Sequence, residues 1–449
     1  MISNVLASQE TSFLKIFDNG EWGYEYVGGL SKGNLMHLKL ISTGRNGNEF
    51  GGVFKRTAIE MNGNITSVTL LDNLKGSSID NFDNNYSIGS FSNGIGFDQV
   101  DLEIVRFKND VINFRYKYGI ENRFERGYGI DIDPSGDVVA CGLVGKEIGS
   151  VDNESVVIKL DTLGEEIWTR IITARYNELK ARAITTDDVG NIYVLADEES
   201  LFPSIQQVAL VKLSSEGDSL WTKYYPGSAS LAKDIKFNQG GNLIASVTAD
   251  YDGNGRSFTM MELDTSGAVI WTKSYIDEVG YAFAQHFIEL QDGGYATCLD
   301  IGYPVLVVLD EDGDVANVQH YDNYGIKDPR DILELDDGSF AIAGNIIEFN
   351  QDIPKTMWLI KTNTEGELVT STIEEAYPEF TLYPNPTHDW VQIKGLDYTS
   401  AMLLNTMGQI VSSYTGTQRI DLSDLRSGSY YLVLQTKKGS FTKRIVKGN

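Results

Sequence analysis

The chain has 449 residues, with 63 acids against 37 bases and a formal net charge of −26. Apolar residues make up 41% and aromatics 11%, which excludes disordered and collagen-like classes. Two cysteines cannot staple this length and four histidines exclude a His-rich metal protein, while the acidity argues against a nucleic-acid partner.

The opening segment, through Glu25, has neither a basic n-region nor an apolar h-region. No stretch approaches the roughly 18 to 20 apolar residues that a membrane helix needs. Self-similarity then organises residues 20–370. Three segments share one text: SVVIKLDTLGEEIWTR with Gly164, VALVKLSSEGDSLWTK with Gly217 and FTMMELDTSGAVIWTK with Gly267. Each is an apolar run, a polar turn ending in Gly, then Trp four residues later. Weaker copies centre on Gly63, Asn109, Gly313 and Gly366. A second text alternates with the first, as in GYGIDIDPSGDVVACG, with turns at Gly33, Asn85, Gly136, Gly190, Gly241, Gly294 and Gly338. Each half reads as a β-hairpin, and two hairpins make a four-stranded unit of about 50 residues, the size of a propeller blade.

Seven such units predict an all-β chain with a seven-bladed β-propeller over 1–370. The segment FLKIFDNG resembles outer-strand text and is expected to complete the last blade, which would remove the open sheet edges. The repeats resemble secreted bacterial propeller repeats of the D-x-x-G-x-x-x-W kind. That resemblance implies a fold and leaves the ligand open.

Within the repeats, Cys141 and Cys298 fall in blades on opposite sides of the ring, so both are expected as unpaired core residues. Trp168, Trp221 and Trp271 occupy equivalent outer-strand positions and are expected to pack between blades. The loop Asp250, Tyr251, Asp252, Gly253, Asn254 matches the first half of a calcium loop. Position 12 is Met261, so the match fails there. Calcium through Asp250, Asp252 and Asn254 is the one cofactor considered. Asp310, Asp312 and Asp314 align with an ordinary hairpin turn.

Eight residues before each second-text turn stand Glu25, Ser77, Tyr128, Arg182, Lys233, His286 and Arg330. This position is near the start of the innermost strand, at one mouth of the channel. An arc of Arg182, Lys233, His286 and Arg330, with Tyr128 beside it, could bind a carboxylate or sulfate. The plainer reading has these cations neutralising acids such as Asp234 and Asp331. No G-x-S-x-G, H-E-x-x-H or P-loop text occurs.

After residue 376 the charge changes sign: residues 377–449 hold eight bases against five acids, leaving −29 in residues 1–376. Residues 371–379 read as a linker and 380–449 as a small antiparallel β-sandwich of about seven strands. The motif LYPNP (Tyr383, Pro384, Asn385, Pro386), then MGQIV, LRSGSYYLVL with Gly428, and the terminal KRIVK with Lys443 and Arg444 resemble the type A C-terminal sorting domain of the type IX secretion system of Bacteroidota. The resemblance implies engagement of that machinery by 380–449, and release or anchoring at the outer-membrane surface. It also implies a signal peptide, expected to have been removed before Met1. The sequence thus points to an exported non-catalytic module for an anionic glycan or a surface protein. A secreted carbohydrate-active hydrolase or lyase, and a structural or adhesive surface protein, stand as alternatives.

Overall fold

The structure is a computed structural model. It describes strand backbone between residues 13 and 108 and most residues from 111 to 448, apart from 146–152, 174, 176–177, 201–204, 226–227, 251–254, 347–355, 369–380, 396–397, 406–409, 416–418, 437–438 and a few single positions; side chains are described mainly from 101 onward. The chain divides into two compact units, Met1–Val369 and Thr370–Asn449. The linker expected at 371–379 lies outside the described residues.

The first unit holds seven four-stranded sheets among its described residues. Their first strands are Tyr24–Lys32, Ser77–Asp83, Glu125–Ile132, Glu178–Thr186, Ser228–Phe237, Phe287–Glu289 and Pro329–Glu334. In sheets 1 to 6 four consecutive strands pair antiparallel in sequence order. In sheet 7 the fourth position is taken by Phe13–Phe17, which pairs with Thr356–Lys361, as expected from FLKIFDNG. First strands of neighbouring sheets touch, and that of sheet 1 meets those of both sheet 2 and sheet 7.

The core lies between consecutive sheets. One cluster joins Tyr193, Leu195 and Leu210 of sheet 4 to Leu243, Ala245 and Met261 of sheet 5. Another joins Met260 of sheet 5 to Phe287 and Tyr295 of sheet 6. A second strand such as Val138–Gly145 is therefore buried along its whole length. Its sequence is a continuous run of apolar and small residues, where a one-faced strand would alternate. Outer strands such as Glu166–Ile172 expose much of their length, here Glu166, Ile167, Arg170 and Ile171.

The outer-strand tryptophans pack between sheets, as the repeat predicted. A Cβ on Gly267, whose φ is +76°, would lie 2.9 Å from the Trp221 ring and 3.1 Å from the Tyr225 hydroxyl. Only glycine satisfies both the left-handed backbone and that approach. Trp168 and Trp271 bear in the same way on Gly217 and Gly313. A further periodic contact accompanies them: the hydroxyls of Tyr225, Tyr275 and Tyr321 donate to the turn carbonyls of Gly267, Gly313 and Gly366 in the following sheets. Cys141 and Cys298 are free and buried, and burial pushes the Cys141 thiol up to about 12.

In the second unit, seven strands form a three-stranded and a four-stranded sheet among the described residues. Val391, Ile393 and Ile420 of the first sheet share a core with Leu403, Leu432, Leu434 and Ile445 of the second.

Candidate functional site

The mouth position has a structural identity that the sequence did not reveal: it is a β-bulge. In six first strands one residue drops out of the pairing register. Tyr128 stands between paired Gly127 and Gly129, Arg182 between Ala181 and Ala183, Lys233 between Ala232 and Asp234, and Arg330 between Pro329 and Asp331. The bulge re-aims its side chain out of the sheet. In sheets 1 and 2 the bulged residues are Gly28 and Asp80, so the expected Glu25 and Ser77 are each three residues out of place. In sheet 6 the left-handed turn glycine is Gly293, whose φ is 94°, and its amide donates to Leu290 O. Counting eight back reaches Gln285, and both it and His286 precede the short first strand, whose described pairing carries no bulge.

The arc of cations is also largely neutralised. Arg182 Nε donates to Asp197 Oδ2 at 2.7 Å, and its guanidinium lies 4.8 Å from the centre of the Tyr128 ring. Arg330 donates to Asp328 Oδ2 through Nε and Nη2, at 3.1 and 2.9 Å. His286 Nδ1 faces Asp234 Oδ2 at 3.3 Å, and burial together with the Lys233 charge lowers the imidazole below its ordinary range, with Asp234 opposing them. This arrangement follows the plainer reading of the sequence for three of the four. The acids doing the neutralising are Asp197, Asp328 and Asp234.

Lys233 differs. Its ammonium makes no ion pair or hydrogen bond among the described residues. Burial lowers the amine from its usual 10.5, Arg330 and Arg182 press it further down, and Asp234 and Asp328 offset part of that. It opens on a cavity of about 250 Å³ whose lining includes Tyr128, Arg182, Asp197, Thr248, Phe283 and His286. Arg330 is outside that lining.

One wall of the cavity comes from an irregular segment. Between the outer strand of sheet 5 and the short first strand of sheet 6 the chain makes one helical turn, Ile276–Val279, and runs without regular structure to His286. It is pinned to sheet 5: Ala284 N donates to Thr248 Oγ1 at 2.8 Å, and Ser246 Oγ donates to Gln285 O at 2.9 Å. Phe283 is held there with 59% of its surface exposed.

Asp234 is occupied structurally. It accepts from the Ile235 and Phe287 amides and from Lys236 Nζ at 3.2 Å. Lys236 and His286 outweigh its burial and hold the carboxyl well below the usual range. Such a group is a poor general acid. For the calcium loop, Asp250 ends a strand of sheet 5, and Asp252 and Asn254 lie outside the described residues. Asp310 Oδ1 accepts from the Asp312 and Asp314 amides, an ordinary turn.

In the second unit the sorting motifs converge on one seam. Asn385 donates to Arg444 O and accepts from Val446 N, both at 2.8 Å. Thr387 N donates to Val446 O. Arg444 Nη2 donates to Ser429 Oγ at 2.8 Å, and Gly428 begins the strand that pairs with Gly439–Lys447. Lys447 Nζ donates to the carbonyls of Leu422, Ser423 and Leu425. Tyr383 is two-thirds exposed. LYPNP and KRIVK are thus two sides of one contact.

Residues 381–448 match the family described as secretion system C-terminal sorting domain, and residues 167–197 match a β-propeller repeat. Among solved structures, a protein of unknown function from Bacteroides caccae is 14% identical, covers 66% of this chain and 93% of its own, and has a TM-score of 0.40. The β-propeller domain of the trilobed protease from Pyrococcus furiosus is 10% identical over 78% of this chain and 99% of its own, with a TM-score of 0.46. A puromycin hydrolase is 11% identical over 92% of this chain and 59% of its own, with a TM-score of 0.47. No curated protein matches the chain.

Proposed function

We propose that this chain, which carries β-propeller repeats followed by a type IX C-terminal sorting domain, is a secreted or surface-held binder whose propeller captures an anionic ligand without transforming it. The sorting domain is a two-sheet sandwich that engages the secretion machinery through the Asn385–Val446 seam. The seven sheets form a closed seven-bladed propeller. One observation carries the binding role: the Lys233 ammonium opens on a cavity with no ion pair among the described residues, while Arg182, Arg330 and His286 are paired. A half-buried ammonium without an ion pair carries a desolvation cost, and a ligand carboxylate or sulfate removes that cost by binding.

A hydrolase reading would need a mouth carboxyl free to exchange protons. The amide and Lys236 contacts of Asp234, which hold it ionised, favour a supporting role instead. Calcium at Asp250, Asp252 and Asn254 is a separate proposal, checked by calcium-dependent thermal stability. The test of the main reading is retention of the full chain on neutral, uronate and sulfated polysaccharides at two salt concentrations. Salt-sensitive retention on anionic members, lost in Lys233→Ala, is expected. Retention on none of them would leave a scaffold or adhesive role, and turnover of a polysaccharide would replace binding with catalysis.

A further inference from the structure

We infer that the cavity takes a single acidic sugar ring, a hexuronate, with its carboxylate on Lys233 and one ring face against Phe283. This deepens the anion-binding reading and rests on it. Three observations fix the ligand class.

The first is charge. Among the cavity-lining residues Arg182 faces Asp197, and Lys233 makes no ion pair among the described residues. A monoanion supplies that one partner, and a dianion would exceed it. Arg182 is held by Asp197 through Nε and by Tyr128 beside it, so it shapes the wall and leaves the carboxylate to Lys233.

The second is size. About 250 Å³ falls just under the range of roughly 300–1,000 Å³ common for drug-sized ligands. There is room for one pyranose ring, which makes this a site for a free monosaccharide or a chain end.

The third is the wall. An exposed phenyl group held on a pinned segment offers a flat apolar face, and the C–H face of a pyranose is its complement. Tyr128 and the Thr248 hydroxyl line the same cavity and supply polar contacts for ring hydroxyls. A small number of placed polar groups beside an aromatic face is how such pockets gain specificity. An inorganic anion would use the charge and leave Phe283 idle.

The experiment is calorimetric titration of the full chain with glucuronate, glucose, glucose 6-sulfate and benzoate, then of Lys233→Met, Phe283→Ala and Arg330→Ala with glucuronate. Glucuronate should bind at least 10-fold more tightly than each of the other three. Lys233→Met should weaken it at least 10-fold and Phe283→Ala about 3- to 10-fold, with Arg330→Ala within 2-fold. The ligand comparison uses the unaltered protein, so it stands even where a variant fails to fold. Equal binding of the sulfate ester overturns the carboxylate assignment, and equal binding of benzoate overturns the sugar. If acidic polysaccharides are retained through Lys233 while glucuronate is not bound, the single-ring inference falls and the anion-binding reading stands. If nothing anionic binds, both fall.

Discussion

Two first strands each carry an ionisable group that its neighbours do not satisfy, and their surroundings differ in one respect. Glu125, at the entry of sheet 3, is fully enclosed, and neither carboxylate oxygen has a well-formed hydrogen bond. Burial, with Asp101 adding to it, pushes this carboxyl up to about 7, and the Ile120 backbone offsets only part of the cost. Lys233, in sheet 5, is also pushed toward its neutral form but opens on a cavity. The enclosed group can respond only by holding a proton. The open one can instead recruit a counter-ion. Access separates a structural strain from a candidate site, and the irregular segment 280–286 provides that access.

The largest effect should come from a residue on neither side of this contrast. Trp358 is fully buried in the sheet 6–7 core, and its indole nitrogen donates to Lys327 O at 2.7 Å. Trp358→Ala should cost about 3–5 kcal/mol in urea unfolding. It sets the scale for an ordinary core loss.

Glu125→Gln sharpens the enclosed side. The folded carboxyl titrates near 7 and the unfolded one near 4.5. The folded state therefore loses stability as pH rises from about 4.5 to about 7, and stays penalised above that. The limit is about 3 kcal/mol. Glutamine removes the charge, so the variant should melt higher than the parent at pH 8 and the gap should close at pH 4. A gap independent of pH would mean that Glu125 has a partner.

Lys233→Met sharpens the open side. Loss of a charge-assisted contact should weaken anion binding by about 1.5–3 kcal/mol, with thermal stability unchanged or raised because an uncompensated ammonium is gone. A destabilised variant with unaltered binding would place Lys233 among the structural cations. The smallest effect is expected for Tyr321→Phe, which removes only the bond to the Gly366 carbonyl, at about 1 kcal/mol in the same unfolding assay.

The fold was legible because each four-stranded unit repeats its chemistry. The left-handed turn glycine and the tryptophan four residues later recur in sheets 3, 4 and 5. The tyrosine eight residues after Gly217, Gly267 and Gly313 was equally periodic and could have been read the same way. The site was legible by position and illegible by partner. Counting from turn glycines found four bulged residues, because bulge and turn are separated by a fixed length of strand. It failed at Glu25 and Ser77, where the turns are degenerate, and at His286, where Gly293 and Gly294 are adjacent. Asp234 was anticipated as a counter-ion; Asp197 escaped because pairing across strands is not written in local spacing, and Asp328 escaped although it lies two residues from Arg330. Asp197 lies in the second strand of its sheet, opposite Lys180 in register, yet binds Arg182. Phe283 escaped because its segment belongs to no repeat.

The most direct test is the titration of the Lys233 amine itself, followed by competitive acylation of the full chain across pH, with and without glucuronate. Its charged surroundings are Arg330 and Arg182 on one side of the balance and Asp234 and Asp328 on the other, with the His286 imidazole beside them. The account predicts that free Lys233 titrates below the ordinary lysine range and that glucuronate moves it upward, because the bound carboxylate favours the ammonium. A Lys233 that titrates like surface lysines, or one that glucuronate leaves unmoved, would contradict it.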